Sequence, residues 1–412
     1  MKLTMKNKQF YYLFLANFVI LFTGWGLFPV LPLYASQFGA TPSVAGLYLA
    51  CIYTAISAGT LLTSWLAKRL THKGLFVAAG ALGVPALVLL GQATALWQVV
   101  LLTASVWFCG GIGTALVSVF TGLYADGKSR GKTFSLMFLA MPLAAGAGGI
   151  AVGQLVTWQG YPFMFAVLAA VWAAWPLASL LGMEDRRDVR SRPSAGDANP
   201  AAPRLEGTFY LVLLVALLSA TALYISRMGT SLSMQTLNFS AGAIASTSAV
   251  GGLATIPVSL LSGALSDRLG RKGFMILGYL LAAGGALVLG NASQLWHFWL
   301  ASALVFAARS ANGPVASAYA TDLLAPQALS RGLSWLNSMA WIAGVLGTAS
   351  AGYLADVLGT ASLYPIPAAL GVTAATMLVL PRRKPQASLP AWLRRQGAHL
   401  APVKLGCEEC PV

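Results

Sequence analysis

The stretch Gly263-Ala-Leu-Ser-Asp-Arg-Leu-Gly-Arg-Lys272 carries four charges in ten residues, while the runs on either side, 240–262 and 273–291, carry none. Each flanking run is close to the ~20 apolar residues that a bilayer-crossing helix requires. The stretch therefore reads as a tight polar turn between two membrane spans, with Gly270 supplying the turn. Asp267 can sit at a neighbouring helix N-terminus and favour its positive end.

Working outward, charge-free runs of spanning length succeed one another along the chain. Spans are expected near 10–34, 43–66, 75–95, 97–123, 133–157 and 161–182, then 208–234, 240–263, 273–291, 295–321, 333–355 and 362–381. The composition agrees. Only 9% of the 412 residues are charged and 57% are hydrophobic, and the mean hydropathy is +0.72. A water-exposed surface needs about 25% charged residues. The fold class expected is all-α and integral to the membrane, with twelve transmembrane helices.

The basic residues test this ladder. Of 26 Lys and Arg residues, 24 fall in tails or in alternate loops, leaving only Arg227 and Arg309 inside helices. That alternation places both termini and the charged loops in the cytoplasm. The acidic residues are assigned to the same side, with none in a helix interior. The net charge of +15 thus orients the protein and meets anionic lipid head groups; nucleic acid is not expected as a partner. The apolar run after Lys2, Lys6 and Lys8 is too long for a cleaved signal peptide, so the first span is expected to stay.

Residues 183–207 are charged and rich in Pro, Ala and Gly, as a flexible linker is. Two six-helix bundles, 1–182 and 208–381, would flank it, with a cytoplasmic tail over 382–412. The halves repeat at a spacing of 199: Lys73-Gly74 matches Lys272-Gly273, and Gly153-Gln154-Leu155 matches Gly352-Tyr353-Leu354. Tyr124-Ala125-Asp126 also echoes Tyr319-Ala320-Thr321-Asp322. Such repeats recur in secondary transporters, with the substrate site between them near the midplane.

The 263–272 stretch resembles the loop signature of the major facilitator superfamily, G-x-L-[AS]-D-R-x-G-R-[KR], and the resemblance extends over the twelve spans and repeated halves. It implies two six-helix bundles moving by alternating access. It also implies a gate latch at Gly263, Asp267, Arg268, Gly270, Arg271 and Lys272, with Lys68, Asp126, Arg130, Asp322 and Arg331 at the same face. The first-half copy, Ser64-Trp-Leu-Ala-Lys-Arg-Leu-Thr-His-Lys73, departs from the pattern: Lys68 stands where the acid should be and Thr71 replaces the glycine. An asymmetric latch, stronger in the second half, is expected. Gly146, Gly148, Gly149 and Gly153 after Pro142 echo a stretch found in exporters of the superfamily, although close helix packing also explains such glycines.

The resemblance puts helices 1, 4, 7 and 10 around the cavity. Arg309 lies 13 residues before Asp322, about 20 Å up helix 10 at 1.5 Å per residue. A cation at that depth needs a wet cavity or a partner. It either binds a polar or anionic substrate or is a structural cation. Asn312 shares its face, and Arg227 either snorkels or lines an outer vestibule. Asn17, Trp25, Trp107 and Tyr224 are further candidate lining residues. Trp296, His297 and Trp299 suit an interfacial belt.

Other chemistries find little support. Cys51 and Cys109 lie in apolar runs, and Cys407 and Cys410 form a lone C-x-x-C short of the ~4 ligands of a zinc site. No metal or cofactor is expected. No phosphate-cradling Gly-rich Lys motif is present, and His72, His297 and His399 are scattered, so an enzyme is not expected. The function expected is secondary transport of a small polar or anionic organic solute by a monomer in the bacterial inner membrane, with export favoured. A coupling proton would have to bind elsewhere than a buried acid, for instance on Asp126 or Asp322. An efflux pump for amphipathic compounds is the alternative; a transporter-derived sensor or lipid-handling scaffold is a second, from a different class.

Overall fold

In the computed structural model of the protein, residues 7–124, 136–183, 207–324 and 329–379 are described. They form helices α1 (Asn7–Leu27), α2 (Pro42–Arg69), α3 (His72–Leu90) and α4 (Leu96–Tyr124). Ala140–Gly182 follows as one element with non-helical backbone at Gly160; its limbs, 140–159 and 161–182, are α5 and α6. After them come α7 (Gly207–Thr236), α8 (Ala241–Leu269), α9 (Arg271–Gly290), α10 (Leu295–Leu323), α11 (Leu329–Leu358) and α12 (Pro365–Val379). Ten elements among the described residues are long and apolar enough to cross a membrane. One of the ten holds both α5 and α6, and α10 falls outside the set because Arg309 and Asn312 lower its hydropathy. The described residues therefore make twelve crossings.

Both ends of this array lie on one face, here the terminal face; the turns near 39, 93, 160, 238, 292 and 360 lie on the other, the far face. The turn chemistry is plain. Thr41 and Ser240 cap α2 and α8, accepting from the amides of Val44 at 3.4 Å and Ala243 at 3.2 Å, which satisfies donors that a helix start leaves unpaired. Gly160 and Gly270 take φ of 78° and 77°, a region that costs other residues a Cβ clash. Helix 1 does not run unbroken to 34. It ends at Leu27, and a short helix Leu31–Ser36 follows; Pro29 and Pro32 lack the N–H groups that continuation would use.

The repeat is visible in the backbone. Ser36 accepts a hydrogen bond from Gln235 at 2.8 Å, a pair 199 residues apart that meets across the two halves. The positive-φ positions Gly39 and Asn238, and Gly160 and Gly359, are related by the same offset. So are two seams: Gly153 of α5 abuts Ala245 and Gly242 of α8, and Gly352 of α11 abuts Gly46 of α2. With no hydrophobic drive between helices in lipid, such small-residue contacts let backbones approach and gain dispersion.

Among the described residues, the hydrogen bonds, ring contacts and glycine approaches that cross between halves all lie between the far face and the level of Tyr53 and Leu253. The far face is thus the closed one. One charge assignment is corrected here. Asp356 is at the far-face end of α11, where it accepts from the Ser43 amide at 3.0 Å. The acidic residues are not confined to one side.

Candidate functional site

Helix α10 organises the interior because its sequence breaks the apolar rule twice, at Arg309 and Asn312. Arg309 is exposed within the protein. It lines an open cavity together with Ser219, Tyr279, Asn312, Ser317 and Asn337 from α7, α9, α10 and α11. These residues place the cavity between the terminal face and the middle of the bundle. Asn312 is buried and packs against Gly278, donating from Nδ2 to the Met275 carbonyl at 3.4 Å while its Oδ1 has no partner.

Arg227 does not snorkel. It is 9% exposed and sits in a cage of rings, its guanidinium 3.9 Å from the centroid of Phe28, 4.5 Å from Trp25 and 5.2 Å from Phe306. Tyr53 and Tyr224, whose rings are 4.7 Å apart, also neighbour it. The cage draws on both halves: α1, the turn that follows it and α2 give Trp25, Phe28 and Tyr53, while α7 and α10 give Tyr224 and Phe306. Desolvated cation–π contacts contribute about 2 kcal/mol each, which offsets much of the cost of a buried charge. One nitrogen, Nη2, is left without a partner.

The other candidate lining residues are placed differently. Asn17 is buried and donates to the Met137 carbonyl at 3.1 Å, tying α1 to the start of α5. Trp107 is buried in the N-terminal half's apolar core. Trp25 and Tyr224 belong to the Arg227 cage. Phe28, Tyr53 and Phe306 were not singled out by sequence reasoning, because nothing along the chain links them. The 199-residue offset could have found one of them, since it pairs Phe28 with Arg227. The same offset pairs Arg309 with Gly110 and Asn312 with Gly113, so the first repeat supplies rings and space where the second supplies charge.

At the terminal face, Arg271 forms an ion pair with Asp322 and also donates to the Ala318 carbonyl at 2.8 Å. This joins the start of α9 to the end of α10 within one half. Gly270 turns the chain as expected, and Arg268, Lys68 and Gly270 are exposed while Lys272 is half-buried. Lys73, the first-half counterpart of Lys272, donates to the Leu180 carbonyl at 3.3 Å and caps the end of α6. Asp126 and Arg130 lie outside the described residues, as do Cys407 and Cys410, and the surroundings of Gly263 and the side chains of Asp267 and Arg331 do too. No group of three His, Cys, Asp or Glu residues able to hold a metal occurs among the described residues.

Known proteins place this architecture. A nucleoside transporter, NupG, superposes with a TM-score of 0.75 at 13% identity, over 90% of this chain and 99% of its own. A D-xylose–proton symporter does so with 0.73 at 15%, over 91% and 97%. A bacterial homologue of the human lysosomal transporter Spinster, inward-facing and unoccupied, gives 0.69 at 14%, over 92% and 96%. At such identities the likeness is one of fold. No curated protein matches the chain in sequence. The Major Facilitator Superfamily matches residues 13–233 and again 212–406, nearly the whole length in two overlapping copies. The chain is a multi-pass membrane transport protein belonging to the major facilitator superfamily.

Proposed function

We propose that the protein is a secondary active transporter that moves a small polar or anionic organic solute by alternating access. The observation that carries this reading is the cationic, hydroxyl- and amide-lined cavity at Arg309, with a second cation, Arg227, further along the same axis. No Asp or Glu lines either space among the described residues, so the interior is matched to negative charge. The halves 1–182 and 208–381 act as the moving bodies, joined by the linker 183–207. The chain works as a monomer, with both termini in the cytoplasm of the cell whose inner membrane holds it. The described arrangement is then the cytoplasm-facing one. Outward transport is favoured by the likeness of the 142–153 stretch to exporters. Packing against α1 and α8 accounts for each of its four glycines, so the direction has to be set by flux.

The test is a thermal-shift screen of detergent-purified protein against organic anions, sugars, amino-acid derivatives and cationic amphiphiles. A ligand at 100 times its dissociation constant stabilises by about 2.7 kcal/mol. Anions should stabilise the wild type and not Arg309→Gln. If only neutral or cationic amphiphiles bind, and bind Arg309→Gln equally, Arg309 is structural and the amphipathic efflux reading replaces this one.

A further inference from the structure

On the far-face side of Val305 and Phe306 lies a second, narrow chamber, and Val305 lines both spaces. Its wall is unusually rich in hydroxyls for the middle of a membrane protein. Ser226, Ser231, Ser248 and Ser302 line it, are buried, and make no side-chain hydrogen bond among the described residues. Thr230 and Thr247 also line it, but donate to the Ser226 and Ile244 carbonyls at 2.8 and 2.7 Å. Their lone pairs remain inside. Arg227 closes one side, more than nine-tenths buried and with Nη2 unpaired.

Arg227 Nη2 is buried without a partner, and such a group loses its hydration with no return; the serine hydroxyls line the chamber and are free to turn towards what enters it. Tyr53 shares a side-chain hydrogen bond with the guanidinium and rings cover its faces, yet rings accept no in-plane N–H bond and Nη2 is left over. What the chamber lacks is an acceptor carrying negative charge, and four serine hydroxyls can turn their protons towards one. A neutral hydroxylated group would satisfy the serines and leave the charge uncompensated; an oxyanion satisfies both.

We propose that the chamber is a second anion subsite, formed by Arg227 with Ser226, Ser231, Ser248 and Ser302, which takes one carboxylate or phosphate-type group. It stands in series with the Arg309 cavity. Phe306, under the guanidinium of Arg227, is three residues from Arg309 on α10, a rise of about 4.5 Å. An acidic group entering from the terminal face meets Arg309 first and Arg227 second. Because Arg227 is gripped by Trp25 and Phe28 of the opposite half, an anion drawing the guanidinium into the chamber weakens a contact between the halves. The order of the two stations rests on the proposed function; the chamber itself does not.

The experiment is equilibrium dialysis of detergent-purified protein with radiolabelled inorganic phosphate in a phosphate-free buffer. Arg227→Gln is a poor probe alone, because it also unseats three rings, so the chamber is tested with the pair Ser248→Ala and Ser302→Ala. The expected result is two sites in the wild type, one in Arg309→Gln, and at least a tenfold higher dissociation constant for that remaining site when the serine pair is added. One site in the wild type and none in Arg309→Gln would overturn the chamber and keep the Arg309 reading. One site that survives Arg309→Gln and weakens with the serine pair would keep the chamber and overturn the Arg309 reading. If Arg309→Gln removes one of two sites and the survivor is indifferent to the serines, the chamber is overturned and the Arg309 reading kept; a single site indifferent to all three changes, or no binding at all, would overturn both.

Discussion

At the level of single residues, position along a helix said where a polar group lies but not what it touches. Arg309 was legible because depth alone makes a cation conspicuous, and the structure puts it in a cavity. Arg227 was harder to read, because its partners Trp25, Phe28 and Phe306 come from two other helices. Asn17 looks like a cavity residue by the same depth argument, yet its amide is committed to the Met137 carbonyl. The physical consequence is a division of labour that can be measured. Asn17→Ala removes one interhelical hydrogen bond, which in membrane proteins contributes about 0.6–1 kcal/mol, and should lower the melting temperature by about 2 °C. Ligand affinity, read by the same thermal shifts extrapolated over concentration, should stay within twofold. A large loss of affinity at unchanged stability would return Asn17 to the substrate. Arg309→Gln should show the reverse pattern, with binding lost and melting temperature nearly kept, since an exposed charge in a wet cavity contributes little to the fold.

At the level of elements, the spans were legible from length and charge, and most boundaries fall within a few residues of expectation. What the sequence could not say was which face each helix presents, because α5 and α8 are apolar all round and carry no stripe. Glycine spacing was the remaining signal, and it marks the seams. A Cβ at Gly149 would come within 2.7 Å of the Ala249 backbone nitrogen and 2.8 Å of the Ala245 carbonyl, and backbone cannot step aside. Gly149→Ala should therefore cost about 1–3 kcal/mol in the far-face-closed state and lower the melting temperature. Gly284→Ala, where a Cβ meets nothing within 4 Å, should be neutral or stabilising by up to ~1 kcal/mol from helix propensity. Equal effects at the two sites would mean the α5–α8 seam is not as close as described. The latch follows the same logic. The Arg271–Asp322 pair is 35% and 54% exposed at its two side chains, so Asp322→Asn should change stability by under about 1 kcal/mol. Its effect belongs in transport, as does that of Asp267. Charge reversal at exposed Lys68 should slow flux much less than loss of Asp267; the opposite ranking would contradict an asymmetric latch.

For the whole molecule, the 199-residue repeat was visible as two short matches in the sequence and becomes a pseudo-two-fold relation in the structure, with equivalent seams at α2–α11 and α5–α8. A transporter built this way needs two closures of similar depth, so that a ligand's differential binding can tip the balance. At the far face two hydrogen bonds tie the halves, Ser43 to Asp356 and Gln235 to Ser36, and the Arg227 cage joins them deeper in. The first went unread in the sequence because Asp356 had been counted with the acids of the opposite face. If each hydrogen bond contributes about 1 kcal/mol net, removing both shifts the equilibrium by about 2 kcal/mol, roughly thirtyfold in population. Asp356→Ala with Gln235→Ala should then enrich conformers open at the far face. Spin labels at Trp97 and Trp296, both exposed at the far-face starts of α4 and α10, would report this by electron–electron distance measurement in a background lacking the native cysteines. The expected result is a longer-distance population that grows in the double variant and shrinks again with ligand at the terminal face. An unchanged distribution would mean that the glycine seams and the Arg227 cage hold the closure, and that the two hydrogen bonds only register the halves against one another.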